Sequence, residues 1–545
     1  MMKSLFVAVF LVSAAAAPNG GLRGVAMEEV ASSLAEASEA VLRGGDGAMA
    51  EHLAGIEKRI WQTFEALPKN ELGRLAPRAV RYLAHNYFAR EHGWLIQGLE
   101  PHGHQEEVSE VHEMSILQDK APAVVESLLE HQRAERGLSL SDMVAMIAVL
   151  ERLIFDEALT LLQASYSLNE LSPVLPLDET DIHEVLKSYL ILFEMGQKAN
   201  LTDAKLHKAL KRKVSKGGKG NWPVLVEFEE DAVANFGYAR KHEANPFVEP
   251  SYDFNAAVQI VEGLASGYGK WQHMECKQMK EDLMEMGDGS GRVPMGQFYS
   301  KSPNADYHFT ESADYLREIG ALDEGGAEPR VRIANYMSGP SNCIASSTYY
   351  SVCCLNECEA VVNELEAKLH SPTADPQRLL ELVGNMSSDT VEAPRQLSPA
   401  MAEKLESIAA RNGGDVPVHG RLFAQWLHHA FPNECPYPAI AENAAVLTPS
   451  HWLDKTSTAS EAEKAEMTSK PFTEEAAPPE MTWSDEEHLA AQEPSKKRGL
   501  LAAGLRAAMQ LVMLLGLFRA ALASWHSLSS AQGGKKAAVD MQLPF

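Results

Sequence analysis

Four of the six cysteines lie within the short stretch Pro340–Glu359, PSNCIASSTYYSVCCLNECE. The other two, Cys276 and Cys435, lie on either side of it along the chain. Disulfides at such a density restrict the unfolded chain and fix the segment to its neighbours. The sequence therefore predicts a cross-linked centre around which the other elements are arranged. Its pairing stays open, because six thiols allow many connectivities. The disulfide candidates are Cys276, Cys343, Cys353, Cys354, Cys358 and Cys435.

The N-terminus predicts entry into the secretory pathway. Lys3 is followed by an apolar run from Leu5 to Val12 and then by small residues up to Ala17, the pattern of a cleaved signal peptide at residues 1–17. The compartment beyond is oxidising, which favours disulfides over free thiols. The triplets that begin at Asn200 and Asn385 are then candidate glycosylation sites.

The charge balance argues against nucleic acid as a partner. The chain has 49 basic and 75 acidic residues and a formal charge of −26, whereas phosphate binding needs clustered lysine and arginine. One basic concentration does occur, between Lys205 and Lys219. Its glycine-rich end, Gly217–Asn221, lacks the serine or threonine that holds magnesium in a phosphate loop. We expect neither nucleic acid nor a nucleotide, and a solvated helix end or a contact with an acidic or lipid surface instead.

Apolar periodicity predicts a mostly α-helical, multi-helix body. The clearest stripe begins near Ser141, a predicted cap, and includes Met143, Met146, Ile147, Leu150, Leu153, Ile154 and Leu161. Similar patterns extend over a predicted N-terminal helical domain, residues 26–250. A second predicted helical domain, residues 338–455, contains most of the cysteines. Its sharpest helix buries Leu422, Phe423, Trp426, Leu427 and Ala430 and turns Arg421, Gln425, His428 and His429 elsewhere.

The C-terminal composition predicts a linker and a membrane helix. Residues 456–498 are acidic and rich in proline, serine and threonine, so they have too little apolar surface to fold alone and predict a disordered linker. Residues 499–525 are apolar and long enough to cross a bilayer, or to lie in its interface if Arg506 and Arg519 stay at the surface. A tail, residues 526–545, follows. We therefore expect a membrane partner, with the body lumenal or extracellular, or secretion if this helix does not insert.

The stretch Met286–Phe298 has the shape of a calcium loop. With Gly291 at the turn, Met286 takes the first ligand position, and the later ones fall on Asp288, Ser290, Arg292 and Gln297. Calcium loops work in pairs, and Val331–Ile333 is placed to form a ribbon with Arg292–Met295. The sequence predicts an EF-hand-like helix–loop–helix lobe at residues 254–337. Because one carboxylate replaces several, packing is the simpler role, and calcium is the one cofactor considered.

The cysteines and histidines leave two further alternatives beside disulfides. A zinc site could use Cys354, Cys358, His429 and Cys435, because C-x3-C on a helix places two thiolates on one face. A nucleophilic cysteine could instead take His419, His428 or His429 as its base. For an enzyme, we expect Cys358, His428, His429 and Cys435 to converge in a cleft. A separate histidine group, His102, His104 and His112, is more typical of a surface loop.

Several phrases together resemble a family of uncharacterised dinoflagellate proteins. They are Ala76–Tyr82 with His92–Trp94, Tyr268–Gln272, Gly291–Val293 with Phe298–Tyr299, Tyr315–Arg317 with Gly320–Asp323, Ser341–Cys343, Tyr349–Glu359, and His419–Trp426 through Cys435–Pro436. The resemblance covers roughly residues 60–452. It implies a secreted or membrane-tethered body with a degenerate EF-hand-like segment, and it implies no activity.

The combined expectation is a non-enzymatic structural or interaction protein of the secretory pathway or cell surface. A calcium-binding EF-hand-like module is the first alternative, and an enzyme of unknown class with a Cys/His site is the second. No catalytic residue is assigned.

Overall fold

A computed structural model gives the fold. It describes residues 46–99, 114–122, 124, 137–217, 222–240, 250–300, 309–326, 328–344, 347, 349–438, 458–469 and 481–487. The chain divides into a unit of Met1–Ala491 and a second unit, Gln492–Phe545, that contains no described residue. The predicted signal peptide at 1–17, the helix at 499–525, the tail at 526–545 and the histidines at 102, 104 and 112 lie outside the described residues.

The described part is mostly helical, as predicted. The helices are α1 (Asp46–Ala66), α2 (Pro77–Glu91), α3 (Ser115–Lys120), α4 (Leu140–Leu168), α5 (Glu179–Met195), α6 (Ala204–Gly217), α7 (Trp222–Ala239), α8 (Phe254–Met286), α9 (Met295–Ser300), α10 (Ala313–Glu318), α11 (Ile333–Met337), α12 (Glu357–Leu369), α13 (Pro376–Gly384), α14 (Pro399–Arg411), α15 (Arg421–Ala430) and α16 (Glu461–Ser469). The strands are β1 (Trp94–Ile96), β2 (Arg292–Pro294), β3 (Leu322–Asp323), β4 (Arg330–Arg332), β5 (Tyr350–Val352), β6 (Thr373–Ala374) and β7 (Val416–Pro417).

The N-terminal core surrounds α4. Its predicted apolar stripe is buried against α1, α5 and α8. The cap is Ser139 and not the predicted Ser141, because Ser139 and Asp142 form a reciprocal capping box that satisfies two backbone N–H groups. Strand β1 pairs antiparallel with β5, with Leu95 opposite Ser351, and both strands bury side chains in this core. The cysteine-rich stretch is thereby attached to the N-terminal body through backbone hydrogen bonds.

Helix α8 joins two cores. Its first half, including Ile260 and Leu264, is buried in the N-terminal core, and its second half, including Leu283 and Met286, is buried in a smaller core farther on. At 33 residues it is about 50 Å long, enough to reach from one to the other. Asp253 begins the helix by accepting the N–H of Ala256.

The smaller core contains two helix–loop–helix units. The first is α8, a loop, β2 and α9, and the second is α10, a loop, β3–β4 and α11. Strands β2 and β4 pair antiparallel with Val293 opposite Val331, which is the ribbon that the sequence predicts. Gly291 has a φ of +79°, and a Cβ there would lie 2.7 Å from the Cβ of Pro432, so glycine is required twice over.

A third core is formed by α12–α15, with Trp426 and Phe423 at its centre. The helix that follows Ser398 and Pro399 begins there as the sequence predicts. Helix α15 buries its predicted apolar stripe in this core. All three cores lie within the first unit of the chain.

The predicted disordered linker, residues 456–498, has structure in two places. Helix α16 packs on α9, and residues 481–487 lie against α15. The prediction failed here because it asked whether the segment folds alone, whereas these residues use surfaces supplied by other parts of the chain. Ala459 and Met467 contact the smaller core, while Met481 and Trp483 contact the third core.

A search of the described helices finds none that combines the length and the apolar composition a bilayer crossing needs. This finding overturns the prediction of a membrane partner through a C-terminal helix, and we do not pursue it. The segment on which that prediction rested lies outside the described residues.

Candidate functional site

All six cysteines form disulfides. Cys276 pairs with Cys354, Cys343 with Cys353, and Cys358 with Cys435. The first attaches α8 to the cysteine-rich stretch, the second closes a loop within that stretch, and the third attaches α12 to the chain beyond α15. The disulfide prediction is confirmed, and the pairing that the sequence left open is resolved. Three disulfides fit an oxidising, secreted or extracellular environment.

The same pairing leaves no thiol for the zinc or nucleophile alternatives. Within the described ranges there is no group of three His, Cys, Asp or Glu side chains that is placed to hold a metal ion. His428 is buried, its Nδ1 lies 2.7 Å from the carbonyl oxygen of Cys435, and burial lowers its pKa to about 3. His429 and His419 also contact protein groups, namely the carbonyl of Thr482 and the carboxylate of Glu366.

In the first loop an arginine contacts the candidate calcium ligand. Asp288 accepts hydrogen bonds from the backbone N–H and the hydroxyl of Ser290 through Oδ1, and from Nη1 of Arg330 at 2.9 Å through Oδ2. Both oxygens are therefore used within the protein. Gln297, in the position where a calcium loop has its bidentate glutamate, is partly buried on α9.

The second loop repeats this arrangement more deeply. Asp323 lies between two arginines, with Nε of Arg292 at 3.1 Å and Nη2 of Arg332 at 3.0 Å, and all three side chains are less than one-tenth exposed. Arg292, a candidate ligand position, is thus held by an ion pair across the ribbon. Asn335, four residues after Val331, binds the backbone N–H and C=O of Tyr437. Asp288, Ser290 and Arg292 therefore all contact other protein groups.

Helix α15 carries a stripe of donors that contacts a peptide backbone. Arg421, Gln425 and His429 are spaced four apart on one face. They donate to the carbonyl oxygens of Glu486 (2.9 Å), Ser484 (2.8 Å) and Thr482 (3.0 Å), respectively. Gln425 also accepts the N–H of Ser484 at 2.9 Å. We name α14, α15 and this stripe the α15 groove, and Met481–Glu487 the acidic segment.

The spacing of the two chains explains why the contacts repeat. Four residues of helix advance about 6 Å, and two residues of an extended chain advance about 6.6 Å, so every second carbonyl meets the next donor. The register holds for three contacts in succession. Gln425 is fully buried, and its Oε1 also accepts the hydroxyl of Tyr437, which fixes the orientation of the amide.

The alternate side chains of the acidic segment also contact the groove. Trp483 lies under Nζ of Lys404 at 4.8 Å from its ring centre, and Asp485 is 2.9 Å from Nη2 of Arg411. The carboxylate of Glu487 accepts the N–H of Leu422 at 3.2 Å. That N–H lies at the start of α15, where Gly420 offers no side-chain cap. An anion is favoured there because the helix dipole is positive at its N-terminus.

The sequence separates the α15 stripe from the buried face, and the roles considered for it were those of His429 as a zinc ligand or a base, not a peptide contact. The residues pointed away from the core, and nothing local indicates what covers them. A usable signal was the i, i+4, i+8 repeat of donors, since it matches an extended backbone. The chain matches no known family model, no curated protein and no solved structure. Its function is therefore argued from this geometry.

The two candidate glycosylation residues are exposed. The Asn200 side chain accepts the N–H groups of Thr202 and Asp203, and the Asn385 amide donates to the carbonyl of Glu381 at 2.8 Å. Both remain predictions.

Proposed function

We propose that this chain is a non-enzymatic interaction protein of the secretory pathway or cell surface, and that its EF-hand-like lobe uses arginine where calcium would lie. The observation that carries the proposal is that arginine contacts one carboxylate in each loop: Arg330 on Asp288, and Arg292 with Arg332 on Asp323. The likeness to an EF-hand rests on the paired helix–loop–helix units and the Val293–Val331 ribbon.

Calcium needs about six to eight oxygen ligands, most of them from carboxylates. The first loop offers one carboxylate, which is already in an ion pair, and an amide at its last ligand position. A guanidinium is a permanent cation with fixed hydrogen-bond directions, so it neutralises a loop without responding to ion concentration. We therefore do not propose the calcium-binding alternative.

The lobe already binds a helix from another part of its own chain. Glu463 of α16 accepts the N–H of Ala313 at 2.9 Å at the start of α10 and contacts the hydroxyl of Tyr299. The N–H of Ala459 donates to the carbonyl of Thr310 at 2.7 Å. Seating an amphipathic or charged helix on a groove is a common mode of recognition. This contact supports an interaction role for the lobe without calcium.

The test is a calcium titration followed by thermal unfolding and tryptophan fluorescence, with magnesium as the matched control. We expect the two ions to have equal effects at millimolar concentration, because the described residues contain no group of side chains placed to hold a metal ion. A saturable rise in Tm with calcium that magnesium does not reproduce would contradict the proposal.

A further inference from the structure

We propose that the α15 groove is a binding site for an extended, acidic, tryptophan-containing peptide of a partner protein, and that the acidic segment Met481–Glu487 occupies it in cis. The inference rests on the proposed function in taking the chain as an interaction protein, and it adds the site and the chemistry of the partner.

The α15 groove binds the main chain of its occupant. Three donors on α15 each contact a carbonyl, and Gln425 satisfies both the N–H and the C=O of one residue. Contacts of this kind do not depend on the side chains at positions 482, 484 and 486. The groove therefore accepts any extended chain whose intervening side chains fit. Backbone hydrogen bonds give affinity and alternate side-chain pockets give specificity in such recognition.

The groove is complementary in charge to the alternate residues of the acidic segment, Trp483, Asp485 and Glu487. Lys404 lies over the Trp483 ring, Arg411 contacts the Asp485 carboxylate, and the start of α15 contacts Glu487. A partner peptide should thus contain tryptophan, an acid two residues later, and a second acid two residues after that.

The side chains of the acidic segment are held less firmly than its main chain. Its ion pair with Arg411 is exposed, with the two side chains 45% and 69% accessible. Met481 and Trp483 are only partly buried against the third core. The strong part of the contact is the buried Gln425, which belongs to the groove and remains in place for another occupant.

The experiment uses the full, oxidised chain and a fluorescein-labelled peptide, Met-Thr-Trp-Ser-Asp-Glu-Glu, with blocked termini. The groove is vacated with the triple variant Trp483→Ala, Ser484→Pro, Asp485→Ala, in which proline removes the backbone N–H that Gln425 accepts and alanine removes the contacts with Lys404 and Arg411. Its fold is checked by circular dichroism. We expect the peptide to bind this variant at least about tenfold more tightly than it binds the wild type, because the tethered segment competes at a high effective concentration.

Two altered peptides supply the matched control without changing the protein. Methylation of the Ser484 backbone nitrogen removes the N–H that Gln425 accepts, and we expect about tenfold weaker binding. Ser484→Ala leaves every backbone contact in place and should bind like the parent. In the protein, Arg411→Ala should weaken binding about threefold and reduce its dependence on salt.

Three results would overturn the inference. The first is no binding of the peptide to the correctly folded triple variant. The second is equal binding of the methylated and parent peptides, which would place the peptide elsewhere. The third is a concentration-dependent dimer of the wild type that free peptide dissolves, which would assign the groove to a second copy. None of these results depends on the outcome of the calcium titration. A calcium response together with normal peptide binding would overturn the proposed function alone.

Discussion

The loops of the smaller core and the α15 groove both use arginine, but they use it in opposite ways. In the loops, the buried guanidinium groups of Arg292 and Arg332 contact the buried carboxylate of Asp323. In the groove, Arg421 and the exposed Arg411 contact groups on a separate stretch of chain. A buried ion pair fixes one structure because either charge alone is costly. Donors directed at a peptide backbone leave the identity of the occupant open.

Breaking the loop ion pairs should have the largest effect. Asp323→Ala leaves Arg292 and Arg332 buried without their carboxylate, and we expect the free energy of unfolding to fall by about 3–5 kcal/mol. Urea unfolding followed by fluorescence measures this change. Asp314→Ala, which removes an almost fully exposed carboxylate on the same lobe, is the control and should change it little. Equal losses of unfolding free energy in the two variants would show that the buried ion pairs of Asp323 stabilise the fold no more than an exposed carboxylate does.

The carboxyl of Glu311 is buried and forms no ion pair with any of the described residues, so its effect on stability depends on pH. Burial raises the pKa of Glu311 to about 7, while Tyr336 and the Thr310 N–H contact its oxygens. Because the folded pKa lies above the unfolded one, its contribution to stability is complete below about pH 4.5 and is lost as the pH rises through 7.

Glu311→Gln mimics the protonated carboxyl, so it should match the wild type in acid and be more stable by about 2–3 kcal/mol at alkaline pH. Thermal unfolding across this range measures the divergence. The exposed Glu318→Gln gives the baseline. Parallel curves for Glu311→Gln and the wild type would show that Glu311 ionises normally in the folded protein.

Within the groove, Gln425 should matter more than its neighbours. Gln425→Ala removes two contacts to Ser484 and one to Tyr437, and we expect a loss of about 1–2 kcal/mol together with release of the acidic segment. Hydrogen exchange at Ser484 reports the release. Gln377→Ala, an exposed glutamine in the same core region, should leave both stability and exchange unchanged. Unaltered exchange in Gln425→Ala would show that the amide does not hold the segment.

The smallest effect is expected for Arg411. Its ion pair with Asp485 is exposed, and such pairs contribute about 0–1 kcal/mol. Arg411→Ala should therefore match Arg378→Ala, which removes a similarly exposed pair with Glu381, in urea unfolding. A loss several times that of Arg378→Ala would mean that the groove depends on charge for its stability as well as for its selectivity.

The sequence predicted the parts that depend on local pattern. The α4 stripe, the helix after Ser398 and the ribbon between Val293 and Val331 all follow from periodicity and turn chemistry. Disulfide formation followed from the compartment that the N-terminus indicates. The two helical features are set by residues close together in the chain, where the physical rules are strongest, whereas the ribbon followed from the expected pairing of two loops.

The remainder depends on contacts between distant residues. Cys353 and Cys354 are neighbours, yet one pairs with Cys343 and the other with Cys276, and spacing alone does not distinguish the two. Arg330 lies 42 positions from Asp288, so the sequence showed how few carboxylates the loop has but not which side chain contacts Asp288. The acidic segment was too polar to fold by itself, and the surface that holds it is formed by α15, about 60 residues earlier.

Helix α8 has a mechanical consequence. The two ends of α8 are buried in different apolar cores, so a rotation of one core would be transmitted through the helix to the other. The Cys276–Cys354 disulfide attaches α8 to the cysteine-rich stretch at a point between the two cores. A force applied to the smaller core would therefore be transmitted along α8 to the N-terminal core.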